Sequence, residues 1–242
     1  MNPIDRIHGD YVFNRRVRVL SGHLAEAIPK DASVLDVGCG DGAMAMAIAS
    51  GRPDLKIEGI DVLVRERTHI PVAGFDGSRI PREDNSVDVA LFVDVLHHTE
   101  DPMVLLREAK RVAQKAIVIK DHTRNGFLAG ATLRFMDWVG NARHGVALPY
   151  NYWPENRWRK AFEELGFEVE MWRSKLGLYP PPAGWAFDRS LHFVARLACG
   201  GGCADIPARE TKVRSETSGR GCPRSEVEAS VREDAGESRT GT

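Results

Sequence analysis

Apolar and polar positions alternate with two different periods along residues 1–198 of this 242-residue chain. Short apolar runs rich in β-branched residues predict buried strands. Between these runs, apolar residues recur every three or four positions, which predicts amphipathic helices. Strands that alternate with helices are typical of βαβ units and of a mostly parallel sheet. The first five strands are predicted at 33–37, 56–61, 72–76, 87–95 and 115–120.

The rhythm changes after the fifth strand. Residues 167–172 and 191–197 both have strand character, and no helical pattern lies between them. Two consecutive strands of this kind are expected to pair antiparallel at the end of the sheet. The predicted helices are a first one ended by Pro29, a second over 42–50, a third capped by Asp101-Pro102, and two more over 127–139 and 154–165.

Composition divides the chain after Leu197. Residues 199–242 contain four branched aliphatic residues and no aromatic residue, and Gly, Ser, Arg, Glu and Thr dominate the rest. Such a segment buries too little apolar surface to offset its chain entropy. We therefore predict one domain over 1–198 and a disordered tail over 199–242. The three cysteines of that tail lack a fourth ligand nearby, so a zinc site is not expected there.

Charge and hydropathy exclude several classes of protein. The 33 Lys and Arg residues balance 34 Asp and Glu residues, which argues against a broad nucleic-acid-binding face. No apolar run approaches the roughly 20 residues of a membrane span. The N-terminal residues lack the apolar stretch of a secretory signal, so a cytoplasmic protein is expected.

The most informative segment is the turn after the first strand, Asp36-Val37-Gly38-Cys39-Gly40-Asp41-Gly42. Alternating glycines let a ligand approach the backbone closely. Gly38, Gly40 and Ala43 also satisfy the pattern of a dinucleotide site, so an NAD-binding oxidoreductase is one alternative. Against it, the Asp36 carboxylate lies where a pyrophosphate would sit, and two anions would repel each other. A ligand with an ammonium or sulfonium group suits this position better.

The order Asp-x-Gly-x-Gly-x-Gly resembles the first motif of class I S-adenosylmethionine (SAM)-dependent methyltransferases of the small-molecule, type 11 kind. The likeness extends over about residues 7–120 and includes the segments 57–62, 75–77, 80–88 and 92–102. Arg82 departs from the family pattern, which usually has Phe there. The resemblance implies an α/β, Rossmann-like, doubly wound sheet of seven mostly parallel strands with a reversed last strand.

The resemblance also implies that SAM is the cofactor and which residues bind it. Asp61, at the end of the second strand, would accept hydrogen bonds from the two ribose hydroxyls, for which a carboxylate is well matched. Asp76 would contact the adenine amino group. The full set of cofactor residues carried over in this way is Asp36, Gly38, Cys39, Gly40, Asp61, Val62, Asp76, Gly77 and Val93.

Methyl transfer from SAM needs in-line positioning above all, and sometimes a base to deprotonate the acceptor. Lys120, Asp121 and His122 are predicted to follow the fifth strand, where ligands bind in open α/β folds. We predict Asp121 or His122 as the base. The alternative is that Asp121 caps a turn and His122 is a solvated loop residue. Asp94 and Asp121 match no metal-binding spacing, so no metal is predicted.

Residues 123–153 form an insertion on the substrate side that is rich in aromatic residues. We predict that it binds a small, apolar or aromatic organic acceptor. The predicted substrate-binding residues are His98, Trp138, Tyr150 and Tyr152. The sequence thus predicts a SAM-dependent methyltransferase that acts on a small molecule. The alternatives are the oxidoreductase above and a non-catalytic partner protein that retains a SAM-binding fold.

Overall fold

The computed structural model describes residues 3–141, 151–181 and 183–199 of the chain. All of them fall within one unit, Met1–Gly202. The predicted tail lies outside the described residues except for Cys199, so its disorder stays a prediction. None of the helices in the described part of the chain is long and apolar enough to cross a membrane.

Seven strands form one sheet in the order β3-β2-β1-β4-β5-β7-β6. Strands β1 to β5 pair in parallel, whereas β7 is antiparallel to both β5 and β6. The reversed last strand and the mostly parallel sheet are therefore confirmed. The strands are β1 (Ser33–Val37), β2 (Lys56–Asp61), β3 (Val72–Gly74), β4 (Val87–Val93), β5 (Ala113–His122), β6 (Glu168–Arg173) and β7 (His192–Ala198).

Helices cover both faces of this sheet. They are α1 (Pro3–Ala27), α2 (Ala43–Gly51), α3 (Pro102–Val112), α4 (Ala129–Asn141), α5 (Glu155–Glu164) and the short α6 (Ala183–Phe187), with a 3₁₀ turn at Leu96–His98. The predicted start of α3 is confirmed, since the Asp101 side chain accepts a hydrogen bond from the Met103 amide and Pro102 opens the helix. Helix α6 carries no sequence pattern that predicted it.

Alternate residues of the central strands face two separate apolar cores. Ile117 and Ile119 of β5 pack on the side of α3 and α5, whereas Ala116 and Val118 pack on the side of α1 and α2. This alternation continues to the end of β5. Lys120 therefore points to the α1 side, and the next residue points to the α3 side.

The prediction that Lys120, Asp121 and His122 follow the fifth strand is wrong. β5 runs on to His122 because β7 pairs with it along its whole second half, up to the pair His122–His192. A Lys-Asp-His sequence has the polarity of a loop, and its burial comes from contacts with other parts of the chain, β7 among them. Consequently none of these three residues is a solvated loop residue, and each side chain is at least 95% buried.

The predicted fourth strand was too long at its end. It stops at Val93 because Asp94 adopts a left-handed backbone conformation, with φ of 58°. This conformation is uncommon for residues other than glycine, although Asp tolerates it better than most. The Asp94 amide still donates to the Lys120 carbonyl oxygen at 2.9 Å, so the turn stays attached to β5.

Candidate active site

The glycine turn after β1 has the backbone geometry that its sequence predicts. Gly38, Gly40 and Gly42 all have positive φ, at 76°, 61° and 78°. A Cβ on Gly38 would lie 2.7 Å from Val95, and one on Gly42 would lie 2.5 Å from Ile70, whereas one on Gly40 would meet nothing within 4 Å. Contacts with Val95 and Ile70 therefore explain why positions 38 and 42 are occupied by glycine. The space over Gly40 is free for a ligand.

Asp36, at the end of β1, carries a buried carboxyl group with incomplete hydrogen bonding. Its Oδ1 atom has no hydrogen-bond partner among the described residues, and the residue is 2% exposed. Burial, with a smaller effect of the Asp61 charge, raises the pKa of Asp36 to about 7. A buried carboxylate without a cation is costly, so this group favours a ligand that brings positive charge.

Asp61 lies beside the same turn at the end of β2. Its two carboxylate oxygens accept hydrogen bonds from the amides of Gly40, at 2.8 Å, and of Leu63, at 2.9 Å. Each oxygen keeps a second lone pair for a further donor. Asp61 thus fastens the glycine turn to β2 and can still receive a pair of hydroxyl groups.

The remaining predicted cofactor residues line the same edge with different roles. Asp76 is exposed, and its Oδ1 accepts hydrogen bonds from the Ser78 hydroxyl and two amides, which lower its pKa. Gly77 has φ of 82° and allows Val62 to approach. The Cys39 side chain packs against Gly59. Burial raises the pKa of the Cys39 thiol to about 12, so the thiolate is not populated near neutral pH.

A second group of polar side chains lies at the ends of β4, β5 and β7. We call Arg16, Asp94, Lys120, His122 and His192 the ion–histidine cluster. The two Asp94 oxygens pair with the Lys120 ammonium and, at 2.9 Å, with the Arg16 guanidinium. Burial alone would raise the pKa of Asp94, but the neighbouring positive charges hold it well below its usual value. Asp94 is therefore ionised between two cations.

His122 and His192 are opposite each other in the β5–β7 pairing, with ring centroids 4.8 Å apart. Burial and the Lys120 charge lower the pKa of His122 to about 4, and they lower that of His192 well below its usual value. Both rings are therefore neutral near pH 7. Nδ1 of His122 and both ring nitrogens of His192 are buried without a hydrogen-bond partner in the described part of the chain. Leaving such a group unsatisfied costs about 1–3 kcal/mol.

Asp121, on the other face of β5, is saturated with hydrogen bonds. Its carboxylate accepts from the amides of Leu96, His97 and His122 and from Nδ1 of His97, the last at 2.7 Å. Burial acts to raise the pKa of Asp121, but the neighbouring side chains of His97 and, less strongly, His122 hold it below the usual range. A carboxylate only accepts, so His97 carries its proton on Nδ1. Asp121 is thus a poor base and a good positioning group for His97.

The structure describes the side chains of two of the four predicted substrate-binding residues. Tyr152 is buried, its ring centroid lies 5.3 Å from that of His97 and 5.8 Å from that of His122, and its hydroxyl donates to the Leu133 carbonyl oxygen. His98 is half-buried with its ring against His97. Tyr150 lies outside the described residues, and of Trp138 only the backbone, within α4, is described.

Three residues of this region could hold a metal ion by distance alone. Ligand atoms of Asp94, His97 and His122 lie within 4.8 Å of one another. However, both oxygens of Asp94 are already paired with cations, and a divalent ion would add two charges to a cluster that already holds two cations against one carboxylate. The prediction that there is no metal stays untested.

Sequence reasoning missed part of the cluster. Arg16 lies in a helix, and His192 lies in a strand 70 residues after His122. No local motif connects them. The pairing of Lys120 and His122 at alternate positions of one strand was the available indication that both face the same side of the sheet.

Solved structures of low sequence identity share this fold. One is a methyltransferase in complex with the Trm112 methyltransferase activator, from Haloferax volcanii (TM-score 0.57, 16% identity, 77% of this chain and 91% of the other covered). Another is a SAM-dependent methyltransferase from Mesorhizobium loti (TM-score 0.52, 17% identity, 73% and 96% covered). A third is the [4+2]-cyclase SpnF (TM-score 0.55, 17% identity, 75% and 80% covered).

The strand order, the reversed β7 and the glycine turn define the class I methyltransferase fold. The sequence also matches a methyltransferase-domain family over residues 11–171, about two-thirds of the chain, so the chain belongs to that family. Membership implies S-adenosylmethionine as the cofactor, and the orphaned Asp36 carboxylate and the open space at Gly40 fit it. No curated protein sequence gave a significant match.

Proposed function

We propose that this protein transfers a methyl group from SAM to a small organic acceptor. The observation that carries the proposal is Asp36, a buried carboxyl group with an unpartnered oxygen beside the glycine turn. SAM brings an ammonium and a sulfonium group, either of which would compensate this carboxylate. When bound, it supplies an activated methyl group with its own leaving group.

The residues of the chain bind and orient the cofactor in this proposal. The Gly38 and Gly40 backbone lines it closely, and the Asp61 carboxylate accepts the ribose hydroxyls with the lone pairs that its two amide partners leave available. Asp76 uses Oδ2 for the adenine amino group, since its three loop contacts all involve Oδ1. Cys39, Val62, Gly77 and Val93 contribute the surrounding wall.

The acceptor is proposed to be an apolar or aromatic small molecule held near β5. The predicted base was Asp121 or His122, and the contacts favour His122. Asp121 accepts four hydrogen bonds, whereas Nδ1 of His122 has no hydrogen bond and lies 3.5 Å from the carboxylate oxygens of Asp94 and Asp121. Burial lowers the pKa of His122 to about 4, so it would be a weak base, and its preference over Asp121 rests on the availability of this atom alone. Tyr152 supplies an aromatic wall beside both histidine rings, with His98 behind His97.

Two other functions make different predictions. An NAD-binding oxidoreductase would bring a pyrophosphate against Asp36, which the charge of that group opposes. A protein with this fold and another reaction is a real alternative, because one of the structures of this fold is a [4+2]-cyclase. Methyl transfer to any acceptor would separate a methyltransferase from that alternative and from a non-catalytic partner.

Calorimetric titration with S-adenosylhomocysteine (SAH) tests the cofactor site. We expect saturable binding, which Asp61→Asn weakens by about 1.5–3 kcal/mol through loss of a charge-assisted hydrogen-bond acceptor. Asp84→Asn is the matched control, because that side chain is 70% exposed and pairs with Arg111 away from the turn.

NADH fluorescence titration completes the experiment, and no response is expected. Unfolding curves of each variant show whether the turn has survived the substitution. Failure of the folded wild-type protein to bind SAH, or tighter binding of NADH than of SAH, would contradict the proposed function.

A further inference from the structure

We infer that one face of helix α4 binds a membrane surface that contains anionic lipids. This face, called the α4 outer face below, consists of Phe127 and Leu128, immediately before the helix, and of Ala131, Arg134 and Phe135 on its first two turns. The inference goes beyond the proposed function and does not depend on it. It concerns the surface on which the protein lies and not the reaction that it carries out.

Three large apolar side chains of the α4 outer face are exposed to solvent. Phe127 is 86% exposed, Leu128 58% and Phe135 54%. Single exposed apolar residues are ordinary on protein surfaces, whereas a group of them marks a site of interaction. Positions 127, 131 and 135 are four residues apart, so they follow one side of the helix. The exposed apolar surface therefore extends along two helical turns.

The opposite face of α4 is packed against the domain. Ala129 and Leu133 are buried with Tyr152 and Leu191 in a small apolar core. The Tyr152 hydroxyl donates a hydrogen bond to the Leu133 carbonyl oxygen at 3.3 Å. The first turns of α4 are thus fixed by their inner face, and the exposure of the outer face is not that of a helix without contacts.

Arginine side chains border the α4 outer face on both sides. A Cβ on Gly130 would lie 3.4 Å from the Arg124 side chain, which therefore lies over that position. Arg189, which precedes β7, donates a hydrogen bond to the Thr132 hydroxyl at 3.2 Å. At 100° per residue, positions 130 and 132 lie on opposite sides of the apolar line. With Arg134 on the face itself, this arrangement is typical of helices that lie in the interface of a bilayer.

The acidic residues near these arginines are fewer, and two of them are already engaged. They are Asp137 in α4, Asp188 beside Arg189, and Glu155 at the start of α5. Glu155 pairs with Arg159 at 2.8 Å, and both Asp188 oxygens accept hydrogen bonds from backbone amides between β6 and α6. Four arginines therefore stand against three acids, and the net charge around the α4 outer face is positive.

Charge distinguishes a lipid surface from a second copy of the chain. A twofold interface pairs a patch with itself, so the arginines around one α4 outer face would approach the same arginines of the other copy. Anionic headgroups instead attract cationic side chains, while the phenylalanine rings enter the boundary between headgroups and acyl chains. An anionic bilayer therefore complements this surface better than a second copy does.

Sedimentation with sucrose-loaded vesicles tests the inference on the full chain, without cofactor or acceptor. Vesicles of phosphatidylcholine alone are compared with vesicles in which about one-third of the lipid is phosphatidylserine. We expect the wild-type protein to bind the anionic vesicles more tightly by about tenfold or more. Added salt should weaken this binding, because it screens the arginines.

A double substitution, Phe127→Ser with Phe135→Ser, removes the apolar anchors. We expect it to weaken binding to the anionic vesicles by about tenfold or more, since two aromatic side chains no longer leave water. Met46→Ser with Val104→Ser is the matched control, because it removes two exposed apolar side chains from α2 and α3. This control should bind as the wild type does.

A second double substitution, Arg124→Gln with Arg134→Gln, removes two charges and no aromatic side chain. Binding to the anionic vesicles should fall by about tenfold, and binding to the neutral vesicles should not change. Arg67→Gln with Arg107→Gln removes two exposed arginines elsewhere and should have no effect on binding to either vesicle. Unfolding curves show that each variant is folded, and the arginine variant tests the inference independently of the phenylalanine variant.

Four results would overturn the inference. These are a wild-type protein that does not bind anionic vesicles, equal binding to both kinds of vesicle, a folded phenylalanine variant that binds as the wild type does, and an arginine variant with full binding. Sedimentation velocity covers the other occupant. A wild-type dimer that the phenylalanine variant converts into a monomer, without binding of the wild type to vesicles, would assign the α4 outer face to a second copy of the chain.

Discussion

The glycine turn and the ion–histidine cluster occupy neighbouring parts of one sheet edge but are built in opposite ways. The turn comes from seven consecutive residues, and its shape is set by backbone conformation, with three positive φ angles between β1 and α2. The cluster comes from α1, the end of β4, β5 and β7, and it consists of contacts between side chains. A local sequence can encode the first completely, whereas only the assembled sheet produces the second.

The two regions also differ in electrostatics. At the turn, Asp36 is an uncompensated carboxyl group whose pKa rises to about 7 on burial. In the cluster, Asp94 is fully compensated by Lys120 and Arg16. The turn thus lacks a positive charge that a cationic ligand would bring, whereas the cluster already holds two cations around one carboxylate. Substitutions in the two regions should therefore affect stability and binding differently.

The largest expected effect is on stability, from Lys120→Met. This change leaves the Asp94 carboxylate with Arg16 alone, and breaking a buried ion pair on one side costs about 3 kcal/mol or more. Because Asp94 remains a quarter exposed, we expect the lower end of that range. Urea denaturation at pH 7 measures the loss in the free energy of unfolding.

Lys115→Met on the same strand is the control for that experiment. Lys115 pairs with Asp88 at 2.8 Å but is half exposed, so its removal should change the unfolding free energy by no more than about 1 kcal/mol. Adding Asp94→Asn to Lys120→Met should recover part of the loss. Equal effects of the two lysine substitutions would show that the cluster is not a compensated buried group.

The sequence predicted the turn better than the cluster for a physical reason. Glycine spacing, the Asp36 carboxylate and the end of β2 at Asp61 are local features, and the structure has each where it was expected. His192 faces His122 only because β7 inserts between β5 and β6. Lys120 resembled a loop residue until that pairing buried it. Long-range pairing, and not residue type, decided both cases.

The difference in stability between alanine variants of two glycines of the turn is expected to be smaller than the loss from Lys120→Met. Gly42→Ala places a Cβ 2.5 Å from Ile70 in a left-handed conformation, so strain and overpacking should together cost about 2–4 kcal/mol. Gly40→Ala has the same backbone strain without the contact and should cost about 1–2 kcal/mol.

Cofactor affinity should show the reverse order for these glycines. The Cβ added at Gly40 enters the space left for the ligand, so SAH binding should weaken more than tenfold in Gly40→Ala. Thermal unfolding and SAH calorimetry on both variants measure the two effects. A variant of Gly40 that binds SAH normally would mean that the open space beside it is not the cofactor site.

The smallest expected effect, about tenfold in affinity, is a pH dependence that belongs to the turn alone. The pKa of Asp36 without ligand is about 7, so the group is mostly protonated at pH 6. A cationic ligand favours the carboxylate and lowers that pKa, so binding must release the proton. SAH affinity should therefore rise by about tenfold between pH 6 and pH 8, since one pKa unit corresponds to about 1.4 kcal/mol.

Calorimetry at pH 6 in two buffers of different ionisation enthalpy should detect the released proton directly. Asp36→Asn should remove both the proton release and the rise in affinity, whereas Asp84→Asn should keep them. The folded-state pKa of Asp36 is raised from 3.8 to about 7, so its protonated form stabilises the ligand-free protein fully below the lower value, and this contribution declines as pH rises and is lost above pH 7. The Asn variant should accordingly gain stability relative to wild type at pH 8. Proton uptake on binding, instead of release, would mean that the positive charge of the ligand lies away from Asp36. The proposed electrostatic difference between the turn and the cluster would then be wrong.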